Sequence, residues 1–220
     1  MSAWLLLGAP GSGRGACIEP LAQRLGLPVL PARDLLRAAA LETPARRLRL
    51  CLETGRPLPS ALALSVLEPV LSHAAFREGS VLDGFPEDVA QASALDRWLE
   101  QHGMALSRAV KLELSHDELL RRLSGRRFCR ECPQHRYNIF YQPPAQSGRC
   151  DRCGGALHQR LKDRPEPVLQ RLGERAVGLS GLEKYYAAQG RLRRVAGISG
   201  AAALAETIYD GLGEEAAVGF

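Results

Sequence analysis

Two stretches of this 220-residue chain hold residues whose types and spacing could do chemistry. The first is GAPGSGRGA, residues 8–16, in which Gly8, Gly11, Gly13 and Gly15 punctuate nine positions. A glycine-rich turn that opens a helix can wrap backbone N–H groups around a phosphate, and the helix N-terminus adds a partial positive charge. Arg14 stands where such a loop ordinarily carries lysine, and Ala16 where a hydroxyl is ordinarily found. The second stretch, CRECPQHRYNIFYQPPAQSGRCDRC, holds Cys129, Cys132, Cys150 and Cys153 as two C-x-x-C pairs separated by 17 residues. Two such knuckles can close a tetrahedral zinc site, with Gly154 and Gly155 supplying the small residues that a knuckle needs. Four thiolates leave no open coordination position, so the expected role is structural. Disulfides are the alternative, disfavoured in a reducing compartment. Cys17 and Cys51 have no partner motif and are expected to be packing residues.

Both stretches need a scaffold. At 45% hydrophobic residues the chain can bury one substantial core. No segment reaches the roughly 20 apolar residues that cross a bilayer. The start, MSAWLLLGAP, has no basic region ahead of its apolar run, so a cytoplasmic, soluble protein is expected. A net charge of +5 and a pI near 9.1 suit polyanionic partners, nucleotides or nucleic acid. Of the 29 basic residues only Lys111, Lys162 and Lys184 are lysine. A planar guanidinium is not equivalent to an ammonium at a phosphate site.

Apolar patterning alternates strands with helices. AWLLLGAP reads as a buried strand meeting a loop, CIEPLAQRLG as an amphipathic helix stopping at Gly26. PVLPARDLLRAAA leads into helix, ending near ETGRPLPS, and ALALSVLEPVLSHAAF is helical with a kink expected at Pro69. SVLDGFP is strand then turn, DVAQASALDRWLEQHG helix, RAVKLELS strand and HDELLRRLSGRR helix. RLRRVAGIS and AAALAETIYDGLG read as a last strand and a closing helix. The alternation predicts an α/β fold with a mostly parallel sheet.

In chain order, GAPGSGRGA, RDLLRAA, LDGFPEDVAQA, RRLSGRR, the four cysteines, HQRLKDRPEPVLQRL and YYAAQGRLRRVAG resemble the adenylate kinase family of nucleoside monophosphate kinases. The match is to the long form with a zinc-binding lid. The resemblance spans nearly the whole chain. It implies a three-layer α/β/α phosphate-loop core from residues 1–30, 61–121 and 164–220. A helical monophosphate-binding segment would occupy 31–60 and a zinc-ribbon lid 122–163. It also implies a monomer that binds ATP with Mg²⁺ and a nucleoside monophosphate, with no membrane or nucleic-acid partner. Gly11, Ser12, Gly13, Arg14, Gly15, Ala16 and Arg126 would bind ATP. Ala32, Arg37, Leu58, Ser60, Gly84, Glu87, Gln91, Arg160 and Arg171 would bind the acceptor, Arg37 gripping its phosphate and Gln91 reading its base. Asp83 would hold magnesium through water, and Arg14, Arg122, Arg126, Arg160 and Arg171 would act on the transferring group. Phe85 and Pro86 are expected to be turn and packing residues.

The departures are specific. Arg14 and Ala16 replace the family's lysine and threonine, and Ala32 and Arg33 a threonine and a glycine. Ser60 replaces an aspartate, Lys162 one of two lid aspartates (leaving Asp163), and Glu87 an arginine bound to the acceptor phosphate. A unit charge near 4 Å is worth about 4 kcal/mol at an effective ε of 20, so reversing its sign at Glu87 would weaken the hold on that phosphate by several kcal/mol. The sequence thus predicts an ATP-dependent monophosphate kinase, weak or with an altered acceptor. The alternatives are a nucleotide-binding paralogue with little activity and, further off, a zinc ribbon binding nucleic acid through Arg121, Arg122, Arg126, Arg127, Arg130 and Arg136.

Overall fold

The structure is a computed structural model and describes residues 2–42, 58–73, 76, 78–197 and 200–211. In chain order the elements are β1 (Ser2–Gly8), α1 (Arg14–Leu25), β2 (Val29–Leu30), α2 (Ala32–Glu42), α3 (Ser60–Leu71), β3 (Gly79–Leu82) and α4 (Val89–Gln101). There follow β4 (Ala105–Glu113), α5 (His116–Ser124), β5 (Arg126–Cys129), β6 (Arg136–Asn138), β7 (Leu157–His158), α6 (Pro165–Ala188), β8 (Leu192–Ala196) and α7 (Ala201–Asp210). They form two compact units: Met1–Gly8, Gly13–Glu113 and Gly178–Phe220 make one, Ala9–Ser12 and Leu114–Val177 the other.

The first unit is built on a sheet of order β2-β3-β1-β4-β8, every neighbouring pair parallel. Alternation along β1 explains the apolar run AWLLL. Ala3, Leu5 and Leu7 enter one core with Leu82 and Ala109, while Trp4 and Leu6 enter another with Val81, Val110 and Leu112. A strand buried on both faces has no polar side, so the period of two vanishes from its sequence. The first core is closed by α2, α3, α4 and the last turns of α6, through Leu36, Leu67, Leu95, Leu182 and Tyr186. The second is closed by α1 and α7, through Ile18, Leu21, Leu204 and Ile208. This is the three-layer α/β/α arrangement expected from the sequence. Gly26 caps α1 in the left-handed conformation, φ 67°, and Pro69 lies inside α3.

The second unit has a much smaller core, with Leu119 and Leu123 of α5 against Val168 and Leu172 of α6. Its three-stranded antiparallel sheet, β6-β5-β7, is short. Among the described residues no helix is long and apolar enough to cross a membrane.

Candidate active site

The loop after β1 turns on glycines. Gly11 and Gly13 have φ of 87° and 96°, a region that side chains with a Cβ rarely enter. The Ser12 N–H donates to Ala9 O at 3.0 Å. Its hydroxyl is buried, without a hydrogen-bond partner among the described residues. Gly13 is the N-cap of α1, which has no side-chain cap and no acidic residue in its first turn. That helix end therefore suits an anion. The Ala16 N–H is engaged internally, donating to Gly13 O at 2.9 Å.

Sheet order brings a carboxylate to the start of α1. β3 runs parallel beside β1, with Leu5 opposite Leu82, so Asp83 leaves the sheet at the carboxyl end of a neighbouring strand. Arg14 Nε lies 3.1 Å from Asp83 Oδ1. Two side chains expected to serve phosphate and magnesium here neutralise each other. Cys17 is fully buried and its thiol donates to Arg14 O; burial pushes that thiol up to about 11, in keeping with packing. Cys51 lies outside the described residues.

The expected acceptor residues of the first unit gather around the turn after Asp83. Gly84 has φ 84°, and a Cβ there would sit 2.9 Å from Arg33 Cβ, so the missing side chain is what lets Arg33 cross the turn. Arg33 Nη2 is 3.4 Å from Glu87 Oε1. The Glu87 N–H donates to Gln91 Oε1 at 2.7 Å, Gln91 Nε2 donates to Leu58 O at 2.7 Å, and Asp88 caps α4 by accepting from the Gln91 N–H. Gln91 is 1% exposed, with both ends of its amide engaged. Buried Ala32 opens α2 and Ser60 opens α3; Arg37 follows Arg33 by one turn, its side chain outside the described part. Phe85 and Pro86 are buried and joined by a cis peptide, packing residues as expected. The anion that stands in place of an arginine, Glu87, is therefore met by a cation. Its partner is itself a departure, 54 positions away.

The second unit holds the other expected arginines. Arg122 Nε donates to Glu118 Oε1 at 2.7 Å, and the Tyr141 hydroxyl donates to Glu118 Oε2. Tyr141 first, then Arg122, hold the Glu118 carboxyl below its ordinary range. Ser115 caps α5 by accepting from the Glu118 N–H, which leaves the Glu118 side chain to bridge the other two. Loss of water lowers the Arg126 pKa although the side chain reaches solvent; Asp163 opposes the shift, and Arg171, Arg136 and Arg160 add to it. Such a cluster of like charge is a good environment for a polyanion. Arg160 lies over the Phe128 ring, 3.5 Å from its centroid, and Arg171 donates to Lys162 O. Asp163 is buried with Oδ2 lacking a hydrogen bond among the described residues.

The four cysteine sulfurs all lie within 4.8 Å of one another. Cys129 and Cys153 Sγ are 3.4 Å apart, far beyond a bond of about 2.05 Å. Tetrahedral zinc–thiolate bonds of about 2.3 Å put sulfurs near 3.8 Å, so the cluster matches a metal cage in size and donor type. The Tyr137 hydroxyl, 3.5 Å from Cys150 Sγ, brings that thiol down to about 6, toward the thiolate a metal requires. Gly154, at φ 68°, makes the turn of the second knuckle.

Sequence reasoning named the loop, Asp83, Gln91 and the cysteines, but not the partners Glu118, Tyr141 and Phe128. Glu118, four residues before Arg122 on one helix, carried an i,i+4 signal; nothing in composition or spacing marks Tyr141 or Phe128. Arg33 and Glu87, opposite charges at two departures from one motif set, did carry a signal.

A glycine turn after the central strand of a parallel sheet, opening a helix beside a carboxylate from the next strand, defines a phosphate-loop α/β protein. A family model described as adenylate kinase matches residues 6–191. An adenylate kinase of Thermodesulfovibrio yellowstonii is 39% identical over 195 residues, 88% of this chain and 90% of that protein. One from Moorella thermoacetica is 37% identical over 213 residues, covering 96% and 98%, and one from Streptomyces avermitilis 34% identical, covering 96% and 97%. The chain belongs to the adenylate kinase family.

Proposed function

We propose that this chain transfers the terminal phosphoryl group of ATP to a nucleoside monophosphate, AMP foremost. The observation carrying the proposal is Arg14 beside Asp83 where a glycine turn opens α1, in a chain of this family. Gly11, Ser12, Gly13, Gly15 and Ala16 would hold donor phosphates largely through backbone groups, which no side-chain change removes. Ala32, Arg37, Leu58, Ser60, Gly84, Glu87 and Gln91 would shape the acceptor site. Arg122, Arg126, Arg160 and Arg171 would supply positive charge to the transferring group, since this chemistry rests on positioning and charge neutralisation. Asp83 is a hard oxygen donor at the carboxyl end of β3, its Oδ1 now facing Arg14, and it would hold magnesium. Magnesium would neutralise phosphate charge; zinc on Cys129, Cys132, Cys150 and Cys153 would fasten the second unit.

Donor binding requires the Arg14–Asp83 pair to open. Partly exposed ion pairs contribute about 0–1 kcal/mol, less than charge-assisted contacts to phosphate, so the exchange is favourable. The same pair, with Ala16 lacking a hydroxyl, favours a second reading: a protein that binds nucleotide and turns it over little. A coupled assay with ATP, Mg²⁺ and a panel of monophosphates separates the two. ADP formation that depends on AMP supports the kinase. ATP binding by calorimetry without ADP formed from any monophosphate supports the second reading.

A further inference from the structure

We infer that Arg33 joins Arg37 in holding the monophosphate's phosphate in this chain's acceptor site, with Glu87 as the anchor that aims Arg33. The inference rests on the proposed kinase reading and names a residue that the family's pattern does not supply, since glycine is expected at position 33.

Four observations lead to it. Arg33 is fixed to the site by its backbone, its N–H donating to Asp83 O at 3.4 Å, and Asp83 is the carboxylate that pairs with Arg14. The Arg33 side chain crosses the Gly84 turn at a separation that no Cβ on residue 84 would permit. Glu87, which meets its guanidinium, is itself held: its N–H bonds Gln91, and its carbonyl lies so close to Gly178 of α6 that a Cβ there would sit 2.5 Å away. The ion pair is loose at 3.4 Å, and Arg33 remains 41% exposed against 21% for Glu87.

These features suit a carrier and its anchor. A guanidinium has five N–H donors in a flat fork, and one contact to Glu87 leaves the opposite edge for phosphate oxygens. A long, half-exposed ion pair contributes little, so yielding part of it to a phosphate dianion costs little. Two departures that would each harm the site alone, a bulky cation for glycine and an anion for arginine, compensate when they meet. The cation would move from residue 87 to residue 33, where Glu87 meets it. Substituting Glu87 alone therefore does not restore a lost phosphate contact; Arg33 supplies the cation that residue 87 lacks.

The test measures AMP, adenosine and ATP binding by calorimetry, and steady-state rates, for wild type, Arg33→Gln and Arg33→Lys. Arg33→Gln should raise the Kd and KM for AMP at least about tenfold, leaving adenosine and ATP within about twofold. Arg33→Lys, which keeps the charge, should lie nearer wild type. Unchanged ATP affinity in Arg33→Gln also shows that the variant has folded. Unchanged AMP affinity in Arg33→Gln, or equal losses for AMP and adenosine, overturns the inference while leaving the kinase reading intact. Wild type that binds ATP but no monophosphate at millimolar concentration overturns both.

Discussion

At the scale of single residues, the site is described best by which charges find partners. Arg14 keeps the positive charge of the loop but points Nε at Asp83, 3.1 Å away. A lysine there would offer a compact, mobile ammonium that the turn can enclose, whereas a planar fork needs more room and a particular approach. Displacements of about 1 Å at a reacting group can cost two orders of magnitude in rate. Arg14→Lys should therefore raise kcat by about tenfold with a smaller change in KM for ATP, if residue 14 serves the transferring phosphoryl as proposed. Steady-state kinetics at saturating AMP check this. An effect confined to KM would place Arg14 in ground-state binding alone. Glu87 shows the limit of reasoning residue by residue: as an isolated anion it opposes a phosphate, and beside Arg33 it anchors a cation.

Between elements, the parallel sheet is tied at its edge by a polar network of stated sign. Glu183 of α6 accepts from Lys111 of β4 at 2.6 Å and from Arg194 of β8 at 2.8 Å. The Lys111 hydrogen bond, followed by that from Arg194, holds the Glu183 carboxyl below the ordinary carboxylate range, against the opposing effect of burial. A carboxylate whose folded pKa is depressed adds stability that is fully present above its unfolded value, about 4.3, and is lost as pH falls through the folded one. Glu183→Gln should thus lower the melting temperature at pH 7 by a few degrees, about 1 kcal/mol for a chain of this size. The gap to wild type should begin to close as pH falls below the unfolded value and be gone once pH has passed the depressed folded one, where the wild-type carboxyl is neutral too. Thermal melts of both proteins across that range check the sign. A gap that stays constant into acid would mean that shape, not charge, makes the contribution.

At the scale of the whole molecule, the two units differ in how they are held together. The first has two apolar layers against a five-stranded sheet. Among the described residues the second has a core of four buried aliphatic side chains and a four-cysteine cluster. With so little core, metal binding should supply much of that unit's folding free energy. Freshly purified protein should contain about one zinc per chain, and Cys150→Ser or strong chelation should lower thermal stability; metal analysis and calorimetric melts check both. Protein with no metal and a Cys129–Cys132 disulfide would overturn the zinc assignment. The sequence by itself determined the alternation of strand and helix, the glycine turn, the C-x-x-C pairs and the order of motifs, because each of these is local and written in neighbouring residues. It missed β2, whose two residues are too short to show any period, and the small sheet of β5, β6 and β7, whose strands of two to four residues are likewise too short to show one. Tertiary structure alone decided that Arg14 meets Asp83, that Arg33 meets Glu87 and that Glu118 meets Tyr141. Those pairings depend on distances between residues far apart in the chain, which parallel strand order and the crossing of one glycine turn set, and no local pattern encodes them.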